Sequence, residues 1–404
     1  MSLLLALALL AAPAGADTCV KCHSTLEDKH ALILRSFSRD IHKEKGLTCV
    51  SCHGGDSAKE DMSEAMDPEK GYVGVPSPAQ VPEFCGKCHS SPAYMRRFNP
   101  SLPTDQQAKY RTSTHGIRLQ AGDEVVATCA SCHPAHSIRP AKDPTSSVYV
   151  KNVAETCARC HADTKKMAPY GIAVTQAADY RASVHGKALL ERGDTSAPTC
   201  NTCHGNHGAV PPGVASIGMV CGSCHVGNME FFKASPMAGP WERRGFHACA
   251  TCHTAHGVQK PTSALLAGSG ALCARCHKPG SKPLAVAASM KGGLDGLKAA
   301  YDGAEGSVRQ AEEKGMDMAE ARDALDGARM SMFQARTAVH AFSAEAVAKI
   351  SEEGKGSADK ASLAAREAVK DFRNRRLGLG LSTFVIAFLA GAVYLKVREL
   401  EEKD

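Results

Sequence analysis

Aromatic side chains are scarce in this chain: Phe, Tyr and Trp make up 5% of its 404 residues, with a single Trp. A polypeptide so poor in large rings has little with which to fill a conventional apolar core. Unassigned cysteine is absent altogether. All 18 cysteines fall into one pattern, Cys-x-x-Cys-His, repeated nine times. A disulfide framework gives no reason for a His after each second Cys. A zinc ribbon needs Cys-x-x-Cys pairs and gives no reason for it either. Charge is missing from the 19 residues Leu377–Leu395, and cysteine from everything beyond Cys276.

What is present accounts for these gaps. Cys-x-x-Cys-His is the signature of covalent c-type haem attachment: the thiols add to the haem vinyl groups and the His turns back as an axial ligand of the iron. The attachment cysteines are Cys19 and Cys22, Cys49 and Cys52, Cys85 and Cys88, Cys129 and Cys132, and Cys157 and Cys160. They continue with Cys200 and Cys203, Cys221 and Cys224, Cys249 and Cys252, and Cys273 and Cys276. The proximal ligands that follow them are His23, His53, His89, His133, His161, His204, His225, His253 and His277. Nine c-type haems are expected, and they rather than the side chains form the core, so that cofactor binding energy is folding energy. The formal charge of +6 carries no nucleic-acid inference. At about −1 for each ferric, bis-His-ligated haem, the loaded chain comes to roughly −3.

In chain order, residues 1–16 have the apolar run and small-residue end of an export signal, without its usual basic start. Haem regions at 17–150 and 151–280 hold four and five motifs, and the segment Asp56–Pro82, rich in Gly, Pro and acids, is expected at the surface. A repeat is legible inside them. Tyr110–Gly116 (YRTSTHG) and Tyr180–Gly186 (YRASVHG) each precede a motif followed by a further His, His136 and His207. A third such unit ends in His256, but its upstream element is Phe232–Met237 (FKASPM), which puts Met237 where His115 and His185 stand. His247, two residues before Cys249, competes with Met237 as a ligand there; packing against a haem edge is the alternative for the Met.

Residues 281–376 turn to Ala, Glu, Lys and Arg. Met318, Ala321, Leu325, Ala328, Met332, Ala335, Val339, Phe342 and Ala346 step by three and four, which predicts one unbroken helix with an apolar seam. Helices are also expected over 294–311 and from about Ser357, making a helical hairpin or bundle. His340 lies one ridge from the seam, in line with Phe333 and Val347. Leu377–Leu395 is long enough to cross a bilayer, with 396–404 as a cytoplasmic tail. The flanking Arg373, Arg375 and Arg376 against Lys396 and Arg398 do not decide orientation; the export signal and the haems do. The expectation is a single C-terminal anchor in a bacterial cytoplasmic membrane with the haem domain in the periplasm.

Counting ligands bears on function. Nine histidines lie outside the motifs: His30, His42, His115, His136, His185, His207, His247, His256 and His340. They match the nine distal positions, with Met237 as a spare. Six-coordinate irons leave no open position for substrate, which favours electron transfer over catalysis, with no catalytic residue assigned.

The S-x-H-G element before C-x-x-C-H-x-x-H resembles the multihaem cytochromes c of the cytochrome c3/c7, doubled-CXXCH and octahaem groups, over about residues 19–350. That likeness implies a mostly irregular and helical, haem-dominated fold, with His42, His115 and His185 as distal ligands; His42, in FSRDIH, matches least well. The region around His340 (AVHAF) is similar to the helix by which pentahaem nitrite reductases and octahaem enzymes return a ligand to their haem cluster. The C-terminal tail resembles that of membrane-bound cytochromes of quinol-oxidising respiratory complexes. These likenesses imply a b-type cytochrome or other quinol-oxidising membrane subunit as one partner and periplasmic or outer-membrane cytochromes as the other. The competing expectation is a reductase or oxidase of a small nitrogen or sulfur oxyanion such as nitrite, hydroxylamine or tetrathionate, with Arg243 and Arg244 beside Trp241 as an anion site. Against it, no motif replaces its proximal His by Lys.

Overall fold

The computed structural model describes residues 17–26, 29–211 and 220–402; the export signal at 1–16 lies outside them. Among the described residues there is no strand, and the chain divides into two units. The first comprises the chain up to residue 213 with the returning loop Thr254–Lys260; the second comprises Val214–His253 and everything from Pro261 onward.

The first unit is made of short helices joined by turns, and its order comes from a repeated local device. A helix carries an aromatic residue in its last turn, a small polar residue three positions on turns the chain, and a second helix starts at once. Gln106–Thr112 gives way to Thr114–Gln120 through Ser113, and Gln176–Ala182 to Val184–Leu190 through Ser183. The Ser113 hydroxyl donates to the Tyr110 carbonyl at 2.6 Å and accepts the Gly116 N–H at 2.9 Å. Ser183 does the same between Tyr180 and Gly186, at 2.6 and 3.0 Å. Such N-caps satisfy donors that the first helical turn leaves open. The turn is so tight that a Cβ on Gly116 or Gly186 would stand 2.0 Å from the Tyr110 or Tyr180 carbonyl oxygen, which is why neither position carries a side chain.

The second unit holds three long helices, α1 (Lys282–Glu312), α2 (Ala319–Ala338) and α3 (Ala344–Glu401). Their facing seams are mostly alanine: Ala304, Ala311, Ala321, Ala328, Ala358, Ala361 and Ala365 are buried around Val308 and Leu325. Small residues let the helices pack closely, and at Gly354 an added Cβ would lie 2.7 Å from Leu297 and 2.6 Å from Ser331. A bundle therefore forms with few large side chains, as the composition requires.

Three helix expectations need correction. The seam does not run unbroken to Ala346. It ends with α2, and a 3₁₀ turn at Val339–Ala341 leads to Phe342 in the left-handed region at φ 50°. Ser343 then restarts the helix, its hydroxyl accepting the Ala346 N–H at 3.2 Å. The overlooked signal was Ser343 followed by Glu345, an N-cap and a first-turn acid. His340 is consequently on the turn and not on a ridge with Phe333, which is 58% exposed, and Val347, which is fully buried. The outer helices also run further than their periodicity suggested: α1 starts at Lys282, and α3 is one continuous helix from Ala344 through the apolar stretch. Within α3 lies the one segment among the described residues that is long and apolar enough to cross a membrane, and none of it is buried.

Candidate metal centres

Thr48, Thr128 and Thr199 each precede a motif, and each backbone N–H is held by the hydroxyl three residues on, Ser51, Ser131 or Thr202, at 3.0 to 3.1 Å. This capping exchange starts a single helical turn that carries the two cysteines and sets the His just past them.

The fit to a metal can be tested from the rings. Two imidazoles bound through Nε2 on opposite sides of one metal, with bonds of about 2.0 Å, put their ring centres about 6.3 Å apart. Six pairs come near that spacing. They are His42–His89 at 5.9 Å, His53–His136 at 6.0 Å, His115–His161 at 6.2 Å, His133–His207 at 6.3 Å, His204–His256 at 6.0 Å and His253–His340 at 6.1 Å. In every pair one ring follows a motif and the other is a candidate distal ligand. His23–His30, at 5.2 Å and edge-on, is tighter than an intervening metal allows. The pairing reaches across the repeat: each trailing His (136, 207, 256) faces the proximal His of the preceding repeat, and each upstream His (42, 115) faces the proximal His of the plain motif that follows its repeat's own.

Hydrogen bonds at Nδ1 orient several rings and leave Nε2 for a metal. His53 Nδ1 meets the Val73 carbonyl at 2.9 Å, so the Gly- and Pro-rich segment after motif two reaches back to a ligand. His204 Nδ1 meets the Val210 carbonyl at 3.2 Å, and His340 Nδ1 the Thr337 carbonyl at 3.0 Å. His42 is different. Its Nδ1 lies 2.9 Å from the carboxylate of Asp40, which also accepts N–H bonds from His42 at 2.8 Å and Ile138 at 2.7 Å. Asp40 is 1% exposed. Burial alone would raise its carboxyl, but the hydrogen bonds from His42 and Ile138 hold it below the ordinary carboxylate range. Sequence reasoning missed Asp40; its signal was an acid in the cap position that the other repeats give to Ser.

Burial, then the neighbouring imidazole, pushes His115, His133 and His253 below their ordinary value. The neutral form that results is the one that ligates.

The motifs also lie beside one another in sequence order. First cysteines meet within pairs of motifs: Cys19 with Cys49, Cys85 with Cys129 and Cys157 with Cys200 in the first unit, and Cys221 with Cys249 in the second. In the last three pairs the hydrogen bond between thiols pushes one up and draws the other down, Cys200 and Cys221 to about 7. Second cysteines then link one pair to the next, Cys52 to Cys88 and Cys132 to Cys160, with Cys252 near Cys273 and Cys276. Arg243 and Arg244 are both exposed.

Residues 41–162 match the model of the Cytochrome c3 family, and residues 243–282 that of the Doubled CXXCH motif. The chain is 27% identical over 221 residues to multiheme cytochrome MtrA of Shewanella baltica, covering 53% of each chain. It is 25% identical over 124 residues to C-type polyheme cytochrome OmcC of Geobacter sulfurreducens, covering 30% of this chain and 15% of that one. The matches thus span about half or less of these relatives' own lengths. No solved structure matches.

Proposed function

We propose that this chain is a multihaem c-type cytochrome that serves electron transfer, holding nine haems in a relay between a quinol-oxidising membrane subunit and periplasmic or outer-membrane carriers. The observation that carries the proposal is the unbroken neighbourhood of consecutive motifs within each unit. When bound, each haem supplies a reversible one-electron couple. The protein's part is to hold the irons on paired imidazoles and to keep neighbouring attachment points close. Proximal ligands are assigned to the nine motif histidines, and distal ligands to His42, His136, His115, His207, His256 and His340 on the ring spacing. His30 is the sequence candidate for the first motif, and at 5.2 Å from His23 between ring centres it is not assigned on the ring spacing. Six of the nine motif histidines have a second imidazole at ligand spacing, which leaves those irons no position for a substrate and supports a carrier over an oxyanion reductase.

The test is mass and spectroscopy of the purified, oxidised protein. A mass increment of nine haems, with every iron low-spin and unchanged by nitrite, is the expected result. One high-spin iron that takes up nitrite would overturn the carrier reading.

Anchoring rests on the exposed stretch Leu377–Leu395. Deleting residues 377–404 should move the protein from the membrane to the soluble fraction with its haem content intact. Retention on the membrane would assign the attachment elsewhere.

Asp40 gives the third motif a distal ligand unlike the others. A carboxylate on Nδ1 makes the imidazole a stronger donor and favours ferric iron. Asp40→Ser, which restores the residue of the other repeats, should raise the midpoint potential of one haem and leave the rest in place. It should also cost about 1–3 kcal/mol through the orphaned Ile138 N–H. A redox titration with all midpoints unmoved would show that Asp40 acts only as a cap.

A further inference from the structure

We propose that the Met237 thioether is the sixth ligand to the iron of the last motif, Cys273–His277. This deepens the reading of nine haems and rests on it. The argument begins with register. In four places an aromatic carbonyl accepts the N–H of a cap residue three positions on: Phe37 from Asp40, Tyr110 from Ser113, Tyr180 from Ser183 and Phe232 from Ser235, at 2.9 to 3.1 Å. The four cap residues share one extended conformation, with ψ between 140° and 165°. The Ser235 hydroxyl donates to the Phe232 carbonyl at 2.7 Å, as Ser113 and Ser183 do to theirs. Two residues beyond the caps stand His42, His115, His185 and Met237. Met237 thus occupies the upstream-ligand position of a fourth repeat in sequence and after the same extended cap, although here the Ser235 hydroxyl accepts the N–H of Met237 itself at 3.2 Å and the helix starts only after it, at Ala238.

The upstream ligand has a constant destination. His42 faces His89 and His115 faces His161, in each case the proximal His of the plain motif that follows the repeat's own. The intervals are 47 and 46 residues. The plain motif after the fourth repeat is Cys273–His277, and Met237 precedes His277 by 40 residues. His247 is the competing donor. It sits two residues before Cys249, where the other repeats have Leu47, Ala127 and Pro198, none of which can ligate a metal. Nothing in the repeat sends that position to the next motif.

The fourth repeat is also marked as the last. In the first three, the residue after the cap donates its N–H to the carbonyl two residues past a trailing His: Ile41 to Ile138 at 2.9 Å, Thr114 to Ala209 at 3.0 Å and Val184 to Val258 at 2.8 Å. At this place the fourth repeat has Pro236, which has no N–H to give. The array stops there, and its final haem differs in ligand from those before it. A Met/His pair holds iron at a higher potential than two imidazoles, so this haem is where electrons in the relay come to rest.

The experiment uses the full holoprotein. Haem content by mass comes first, because a chain lacking haem at Cys273 and Cys276 would overturn both the nine-haem reading and the proposal. With nine haems present, the oxidised protein should show the long-wavelength sulfur-to-iron charge-transfer band, and one haem should titrate above the others. In Met237→His the band should vanish and that midpoint should fall in among the rest, with haem content unchanged. His247→Ala should keep the band. Nine haems without the band, or a band that survives Met237→His or disappears in His247→Ala, would overturn the assignment of Met237 and leave the relay standing.

Discussion

His340→Ala should convert one low-spin haem to high-spin with the haem content of the protein unchanged. His340 is the one histidine of the helical bundle, and it faces His253 at 6.1 Å between ring centres. By the pattern of the haem region, the proximal His of a repeat receives the trailing His of the next. After the fourth repeat there is no next one, so His253 would lack a partner. His340 supplies it from the turn between α2 and α3. The break in the seam has this use: Phe342 in the left-handed region and the Ser343 cap set His340 off both helices, with Nδ1 bonded to the Thr337 carbonyl. Because the thioether bonds are untouched, haem mass should not change. Electron paramagnetic resonance should show one high-spin ferric centre. Added imidazole should return it to low spin, and His340→Met should restore six-coordination at a raised potential. A spectrum that stays wholly low-spin in His340→Ala would mean that another residue ligates this iron.

Gly186→Ala should be among the most damaging small substitutions in the chain. The new Cβ would lie 2.0 Å from the Tyr180 carbonyl oxygen and 2.9 Å from the Arg181 Cα, both backbone atoms that cannot rotate away. Relief requires the two short helices to part. Parting them breaks the Ser183 bonds to Tyr180 and Gly186 and displaces His185, the adjacent residue. Overpacking of this kind costs about 1–3 kcal/mol, and the lost cap adds about 1 kcal/mol. Denaturant unfolding of the holoprotein should show the lowered midpoint, accompanied by a smaller yield of fully haem-loaded chains. Gly116→Ala, with the same 2.0 Å conflict against Tyr110, should behave alike. The control is Ala238→Gly, because the fourth repeat already carries Ala at this place; its cost should not exceed the 0.5–1 kcal/mol of a helical glycine. A stable Gly186→Ala protein would show that the repeat has slack in its tightest turn.

The amino-acid sequence by itself determined the chemistry of attachment. Two thiols and an imidazole within five consecutive residues are positioned by one turn of helix, so Cys200, Cys203 and His204 are legible without any tertiary knowledge. The same holds for the bundle as far as Ala335, since an apolar seam is a property of local periodicity. It failed at Val339, where a capping serine and a left-handed residue outweighed the seam. The length of α3 was missed for the opposite reason: an alanine-rich helix has no strong stop signal until its end. Only the tertiary structure decided which imidazole faces which. His53 meets His136 across 83 residues and His133 meets His207 across 74. No local pattern spans such distances, because the partners are brought together by hydrogen bonds between repeats, Ile41 to Ile138 and Thr114 to Ala209. Asp40 was invisible for the same reason. It reads as a helix cap in sequence, and it becomes part of a ligand's surroundings only when Ile138, 98 residues away, buries it.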